Sequence, residues 1–169
     1  VSFLVGAFRG KAWSYMKKIT RFILFPAAAL AVGGLSALLT KDAMQSYEAV
    51  NKPALTPPGI VFPIVWTILY LLMGISMALV WEKDGLQERQ ALALWIVQLA
   101  MNFCWSLIFF NAQAYGVALL WLAVLWLVIL AMTAVFYTIR PLAGLLQIPY
   151  LLWVAFAGYL NFMIWQLNP

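Results

Sequence analysis

The sequence contains no histidine, a single cysteine and only five acidic residues; charged residues of both signs make up 9% of its 169 positions. Without histidine, the commonest metal ligand and the commonest general base are both missing. The lone Cys104 stands in an apolar run and has no intrachain disulfide partner. Soluble domains carry about 25% charged residues because their surfaces face water. A chain that is 66% hydrophobic, with a mean hydropathy of +0.96, has to turn its outside to lipid. That excludes a soluble enzyme, a nucleic-acid module and a disordered tail. The net charge of +5 is no nucleic-acid footprint, since five of the ten basic residues fall within the first 21.

Against this poverty of charge stand five uncharged apolar runs, Phe22–Leu39, Ile60–Trp81, Ala91–Phe110, Val117–Tyr137 and Ala143–Trp165. At about 1.5 Å per residue, roughly 20 residues cross a hydrocarbon core of about 30 Å. The runs are continuous rather than alternating and about twice the length of a barrel strand, so they read as helices. The expected fold is an all-α membrane protein, a five-transmembrane-helix bundle over residues 22–169 behind a basic membrane-proximal segment, residues 1–21. Basic residues before an apolar run also describe a signal peptide. Here the run continues past the small residues Ala31-Val32-Gly33 to Leu39, so it is read as a retained span.

Lysine and arginine set the expected orientation. Arg9, Lys11, Lys17, Lys18, Arg21, Lys83, Arg89 and Arg140 fall on one side, and only Lys41 and Lys52 on the other. The positive-inside rule then puts the N-terminus inside and the C-terminus outside. Phe3, Phe8 and Trp13, interleaved with the N-terminal bases, fit a segment lying on anionic headgroups; a solvated leader fits equally. The one long connection runs from Thr40 to Gly59. Pro53, Pro57 and Pro58 within six residues make it a stiff outer lid rather than a slack loop. No internal repeat is visible, which disfavours a repeat-built transporter.

Polar groups inside a bilayer mark the bundle interior. In the third span Trp95, Gln98, Asn102, Trp105 and Phe109 recur at helical spacing and share a face. Phe62, Trp66, Tyr70 and Met73 do so in the second span, and Tyr150, Trp153, Ala157 and Asn161 in the fifth. Measured from the outer ends, Trp66 lies about 9 Å deep, Asn102 about 12 Å and Trp153 about 18 Å. Three such stripes under a lid fit a pocket for a flat apolar molecule, with Asn102 as a polar handle. They fit plain helix packing as well, and periodicity leaves both open. Trp81, Tyr115, Trp121, Tyr137 and Trp165, near span ends, read as belt anchors. Trp126 has no polar neighbour in its span and reads as packing or lipid-facing.

Pro149 predicts a kink in the fifth span. The small-residue ridges Ala29/Gly33/Ala37 and Gly74/Ala78 predict close helix approach, within the bundle before a dimer. Acid–base catalysis finds no support, because no span holds Asp, Glu, Lys or Arg. No metal spacing or nucleotide motif is present, and Cys104 has no evident base beside it.

The chain resembles the translocator protein family (TspO/MBR), also called tryptophan-rich sensory proteins or peripheral benzodiazepine receptors. The resemblance rests on Lys52-Pro53 with Thr56-Pro57-Pro58-Gly59, on Phe62-Pro63-Ile64-Val65-Trp66-Thr67-Ile68-Leu69-Tyr70, and on Asn102-Phe103-Cys104-Trp105 with Phe109-Phe110. Pro149-Tyr150-Leu151-Leu152-Trp153-Val154-Ala155-Phe156-Ala157 with Leu160-Asn161 completes it. It implies a five-helix bundle, often a homodimer, in the cell membrane of a bacterium. Its cavity would bind porphyrins, haem-type tetrapyrroles or flat benzodiazepine-site ligands in stress response or tetrapyrrole handling. By position it implies Trp66 and Trp153 as aromatic walls, Asn102 and Trp105 as the third-helix wall and Tyr47 and Pro57 as lid contacts, with Phe62, Tyr70 and Ala157 completing the lining.

Porphyrin photodegradation, attributed to bacterial relatives, would make Trp66 and Trp153 the reacting groups; a regulatory partner without its own ligand is the third reading. No cofactor or metal is required. Leu55 stands where the family usually has tryptophan, which thins the lid. No base follows Arg140, so the family's proposed C-terminal sterol motif is absent and sterol binding is not expected. The looser match Val135–Arg140 is read as chance. Without histidine, metal-free tetrapyrrole is favoured over haem.

Overall fold

The computed structural model describes the backbone of residues 2–82 and 85–168, with side chains from residue 16 onward. Among the described residues every regular element is helical: α1 Ser2–Thr40, α2 Ala43–Glu48, α3 Val61–Val80, α4 Leu86–Ser106, α5 Tyr115–Ile139, α6 Pro141–Leu145 and α7 Ile148–Leu167. Five segments are long and apolar enough to cross a membrane: Met16–Thr40, Val61–Val80, Leu86–Asn111, Tyr115–Ile139 and Pro141–Leu167. They coincide with the five runs read from the sequence. The basic N-terminal stretch continues as helix into the first span without a break. The headgroup contacts expected of Phe3, Phe8, Arg9, Lys11 and Trp13, and the position of Lys83, lie outside the described residues.

The closest helix approach joins α1 to α3. A Cβ placed on Gly74 would lie 2.2 Å from the Cα of Pro26, so the two backbones meet where neither residue projects a long side chain. Higher in the same seam Gly33 takes the ring of Tyr70, whose nearest atom would be 2.3 Å from an added Cβ. Gly33 of the first ridge and Gly74 of the second are therefore spent inside the bundle, as close backbone packing in lipid requires, while Ala37 is exposed beside the cavity.

Away from the long loop the interior of the bundle is apolar and buried. Met73, Met77, Val80, Leu125, Ile129, Met132 and Phe136 are fully buried there. The indole of Trp95 donates to the carbonyl of Met73 at 3.1 Å. At this end Glu82 accepts from Arg140 and lies 3.9 Å from Arg21, and Arg21 also donates to the carbonyl of Trp81. The pairs fasten the chain leaving α3 to α1 and to the start of α6.

Four sequence expectations require correction. Pro149 does not kink a continuous helix: the span is broken at residues 146–147, and Pro149 occupies the first turn of α7. A first-turn proline costs no hydrogen bond, so restarting the helix there is cheaper than bending it. Tyr115 is no belt anchor; it is buried, packs its ring 5.2 Å from Phe109, and its carbonyl accepts from Asn161. Trp121 donates to the carbonyl of Met101 at 2.8 Å and staples α5 to α4. Trp126 has a polar neighbour after all, donating to the carbonyl of Leu151 at 3.1 Å. For Trp121 and Trp126 a helix carbonyl offers the indole a partner that hydrocarbon does not. Tyr137 and Trp165 remain exposed, as anchors would be.

Candidate ligand-binding cavity

The loop that precedes α3 is more ordered than its length implies. Its first part forms the short helix α2. Its second part turns at Pro53, whose carbonyl accepts from both the N–H and the hydroxyl of Thr56. Asn168 ties it down: the amide Nδ2 donates to the carbonyl of Asn51 at 3.0 Å, and Oδ1 accepts from the Asn51 N–H at 3.1 Å. The loop is thus clamped to the end of α7, a link between distant residues with no local sequence signal. Burial pushes the Tyr47 phenol above its usual range, with the nearby Tyr115 adding to the shift, so Tyr47 stays neutral at physiological pH.

Beneath this cover lies a cavity of about 510 Å³. Its wall includes Tyr47 of α2, Phe62, Trp66 and Tyr70 of α3, Asn102 and Trp105 of α4, and Trp153 and Ala157 of α7. These are eight of the nine residues singled out in the sequence. Pro57, the ninth, is half-buried but off the wall; Gly59 and Met44 stand on the loop side instead. Pro57 and Pro58 shape the turn into α3, where the Val61 N–H donates to the Pro58 carbonyl at 2.9 Å, and the roof comes from α2.

Sequence periodicity also did not place α1 on the wall: Gly33 and Ala37 stood out only as a close-packing ridge, and with Leu30 they carry no aromatic or amide group to mark a lining face. It missed Phe110 for another reason. At Leu107–Asn111 α4 widens into a π-helical turn, which lets neighbouring Phe109 and Phe110 both reach the cavity. Tyr47 packs against both rings, at 5.7 and 5.2 Å. Such wide turns recur at functional positions, and no sequence rule used above anticipates them.

The polar groups of the wall form neutral chains. Asn102 donates Nδ2 to the Tyr150 hydroxyl at 3.1 Å, and that hydroxyl donates to Gln98 Oε1 at 2.9 Å. Trp105 donates its indole N–H to Asn161 Oδ1 at 3.3 Å, and Asn161 donates to the Tyr115 carbonyl at 2.7 Å. Burial without such partners would cost about 1–3 kcal/mol per group. Trp66 and Trp153 differ from four of the other tryptophans. Trp95, Trp105, Trp121 and Trp126 all donate their indole N–H, whereas those of Trp66 and Trp153 have no acceptor among the described residues. Among the described residues the wall holds no Asp, Glu, Lys or Arg.

Residues 22–166 match the TspO/MBR family over most of the chain. The protein belongs to the TspO/MBR family. Similar relatives include the protein CrtK of Rhodobacter capsulatus, 37% identical over 89% of this chain and 94% of that protein. The tryptophan-rich protein TspO of Chlorobaculum tepidum is 39% identical over 90% of this chain and 99% of its own. The human translocator protein is 37% identical over 87% and 88% of the two chains. Family membership and the five apolar spans make this an integral multi-pass membrane protein of TspO/MBR type.

Proposed function

We propose that this TspO/MBR protein is a membrane receptor or carrier for flat, largely apolar ligands of tetrapyrrole type, with benzodiazepine-site compounds as synthetic occupants. The observation that carries the reading is a cavity of about 510 Å³ walled by two tryptophans whose indole donors are unused. Cavities that take small molecules occupy about 300–1,000 Å³, are mostly apolar and offer few polar groups. Ring faces supply stacking area, and the free N–H groups of Trp66 and Trp153 supply donors to ring substituents. Asn102 adds an acceptor, since Oδ1 has no donor among the described residues.

Among the described residues no charged group lines the wall, so proton-transfer catalysis lacks its usual agents there, and binding is the better-supported activity. The chain has no histidine to ligate haem iron, which favours the metal-free macrocycle. The lysine and arginine bias supports a loop facing outward and an N-terminus inside. A homodimer would have to use contacts other than Gly33 and Gly74, which are occupied within the bundle.

Titration of protoporphyrin IX into the detergent-solubilised protein, followed by tryptophan fluorescence, tests the reading. Trp66→Ala and Trp153→Ala should each weaken binding by about tenfold or more, in line with about 1.5 kcal/mol for a lost aromatic contact. Unchanged affinity in both variants overturns it.

A further inference from the structure

The cavity has a second neighbour besides the loop. α3 lies against α1 along a tight seam and α7 lies against α5, but α3 and α7 themselves barely approach each other. Rings close the gap instead of backbones. Phe62 meets Trp153 with centroids 5.9 Å apart, and Trp66 meets Tyr150 at 6.2 Å. On the lipid-facing side of this seam runs an apolar groove lined by Val65, Ile68 and Leu69 of α3 and Pro149, Leu152 and Phe156 of α7. Trp153 belongs to the groove and to the cavity alike. Trp153, flanked by Phe62, therefore stands between the hydrocarbon of the bilayer and the interior of the site.

Resting on the binding function proposed above, we propose that this groove is a lateral portal. A flat apolar ligand dissolved in the bilayer docks between Ile68 and Leu152 and passes into the cavity as Trp153 swings aside.

Four observations favour this occupant and route. The groove is apolar and lies in the membrane, since Ile68 is seven residues into α3, about 11 Å from its end. It is therefore suited to a solute that partitions into hydrocarbon, not one arriving through water. Trp153 is half-buried and its indole N–H has no acceptor among the described residues, so rotating it breaks no hydrogen bond. The corresponding seam between α1 and α3 is shut by backbone contact at Gly74 and Pro26, and opening it would require moving whole helices. The loop side is also tied down, through the paired amides of Asn51 and Asn168. Rotation of one aromatic side chain is the lesser barrier.

The portal separates rates from equilibrium. Ile68→Trp and Leu152→Trp add bulk to the groove at positions off the cavity wall, 51% and 67% exposed in the present chain. With protein in lipid nanodiscs and protoporphyrin IX followed by its own fluorescence in stopped flow, both variants should slow association and dissociation together. The expected change is about tenfold in each rate, with Kd within about twofold. Leu130→Trp, on the exposed face of α5, controls for added bulk and should change neither rate. Saturable binding with unchanged rates in both groove variants overturns the portal while leaving the binding function standing. Slowing by Leu130→Trp equal to that of the groove variants also overturns the portal. Absence of saturable binding in the parent protein removes both readings.

Discussion

The loop-side half of the bundle and the half at the opposite end are built from similar residues and do opposite things with them. At the far end tryptophan is a fastener: the indole of Trp95 is buried and bonded to the Met73 carbonyl, in a buried core of methionine, leucine and isoleucine. On the loop side Trp66 and Trp153 stand at the edge of an open volume with their donors unspent. Trp105 is intermediate, lining the cavity while bonded to Asn161. The difference teaches that tryptophan content says little by itself. What separates Trp66 and Trp153 from Trp95 is that an acceptor lies within reach of the Trp95 ring nitrogen and none within reach of theirs among the described residues.

That contrast can be broken most severely at the close contact which holds the framework. Gly74→Ala should cost about 3 kcal/mol or more, because the added Cβ meets proline backbone that cannot turn away. Thermal unfolding in detergent measures it, and a loss below about 0.5 kcal/mol would show that α1 can shift freely. Next comes the polar chain under the cavity. Tyr150→Phe leaves Gln98 Oε1 without its 2.9 Å donor and should cost about 2 kcal/mol by the same measurement.

A paired substitution then sharpens the comparison of the two halves. Trp95→Phe removes a bonded N–H and some buried ring surface and should cost about 1–2 kcal/mol. Trp66→Phe removes an unbonded N–H and should cost less than half as much stability. Equal losses would erase the distinction between the two halves. The smallest effect is expected at Pro57, which lies off the cavity wall. Pro57→Ala should leave protoporphyrin affinity within about twofold while Trp153→Ala lowers it about tenfold.

Much of this architecture was legible in the residues. Uncharged runs of some 20 residues admit one solution in hydrocarbon, so five helices follow from length and polarity. The stripes through Trp66, Asn102 and Trp153 pointed inward because an amide facing lipid is costly. Pro57 was misplaced because a proline-rich segment announces stiffness without saying which of its atoms face inward. Tyr115 and Trp121 were misassigned because a position near a span end is the same for an anchor and for a staple. Phe110 was invisible because a π-helical turn changes the angular step between neighbours, and that step is what periodicity assumes.

Chain composition alone determined that this protein lives in a bilayer, crosses it five times and turns its aromatic and amide stripes toward its own interior, since hydrocarbon tolerates no other disposition of those groups. Tertiary structure alone decided that the stripes enclose a space instead of filling one. The backbones of α1 and α3 close to contact at Gly74 while α3 and α7 stay apart. Volume between helices depends on those distances, which no single segment encodes.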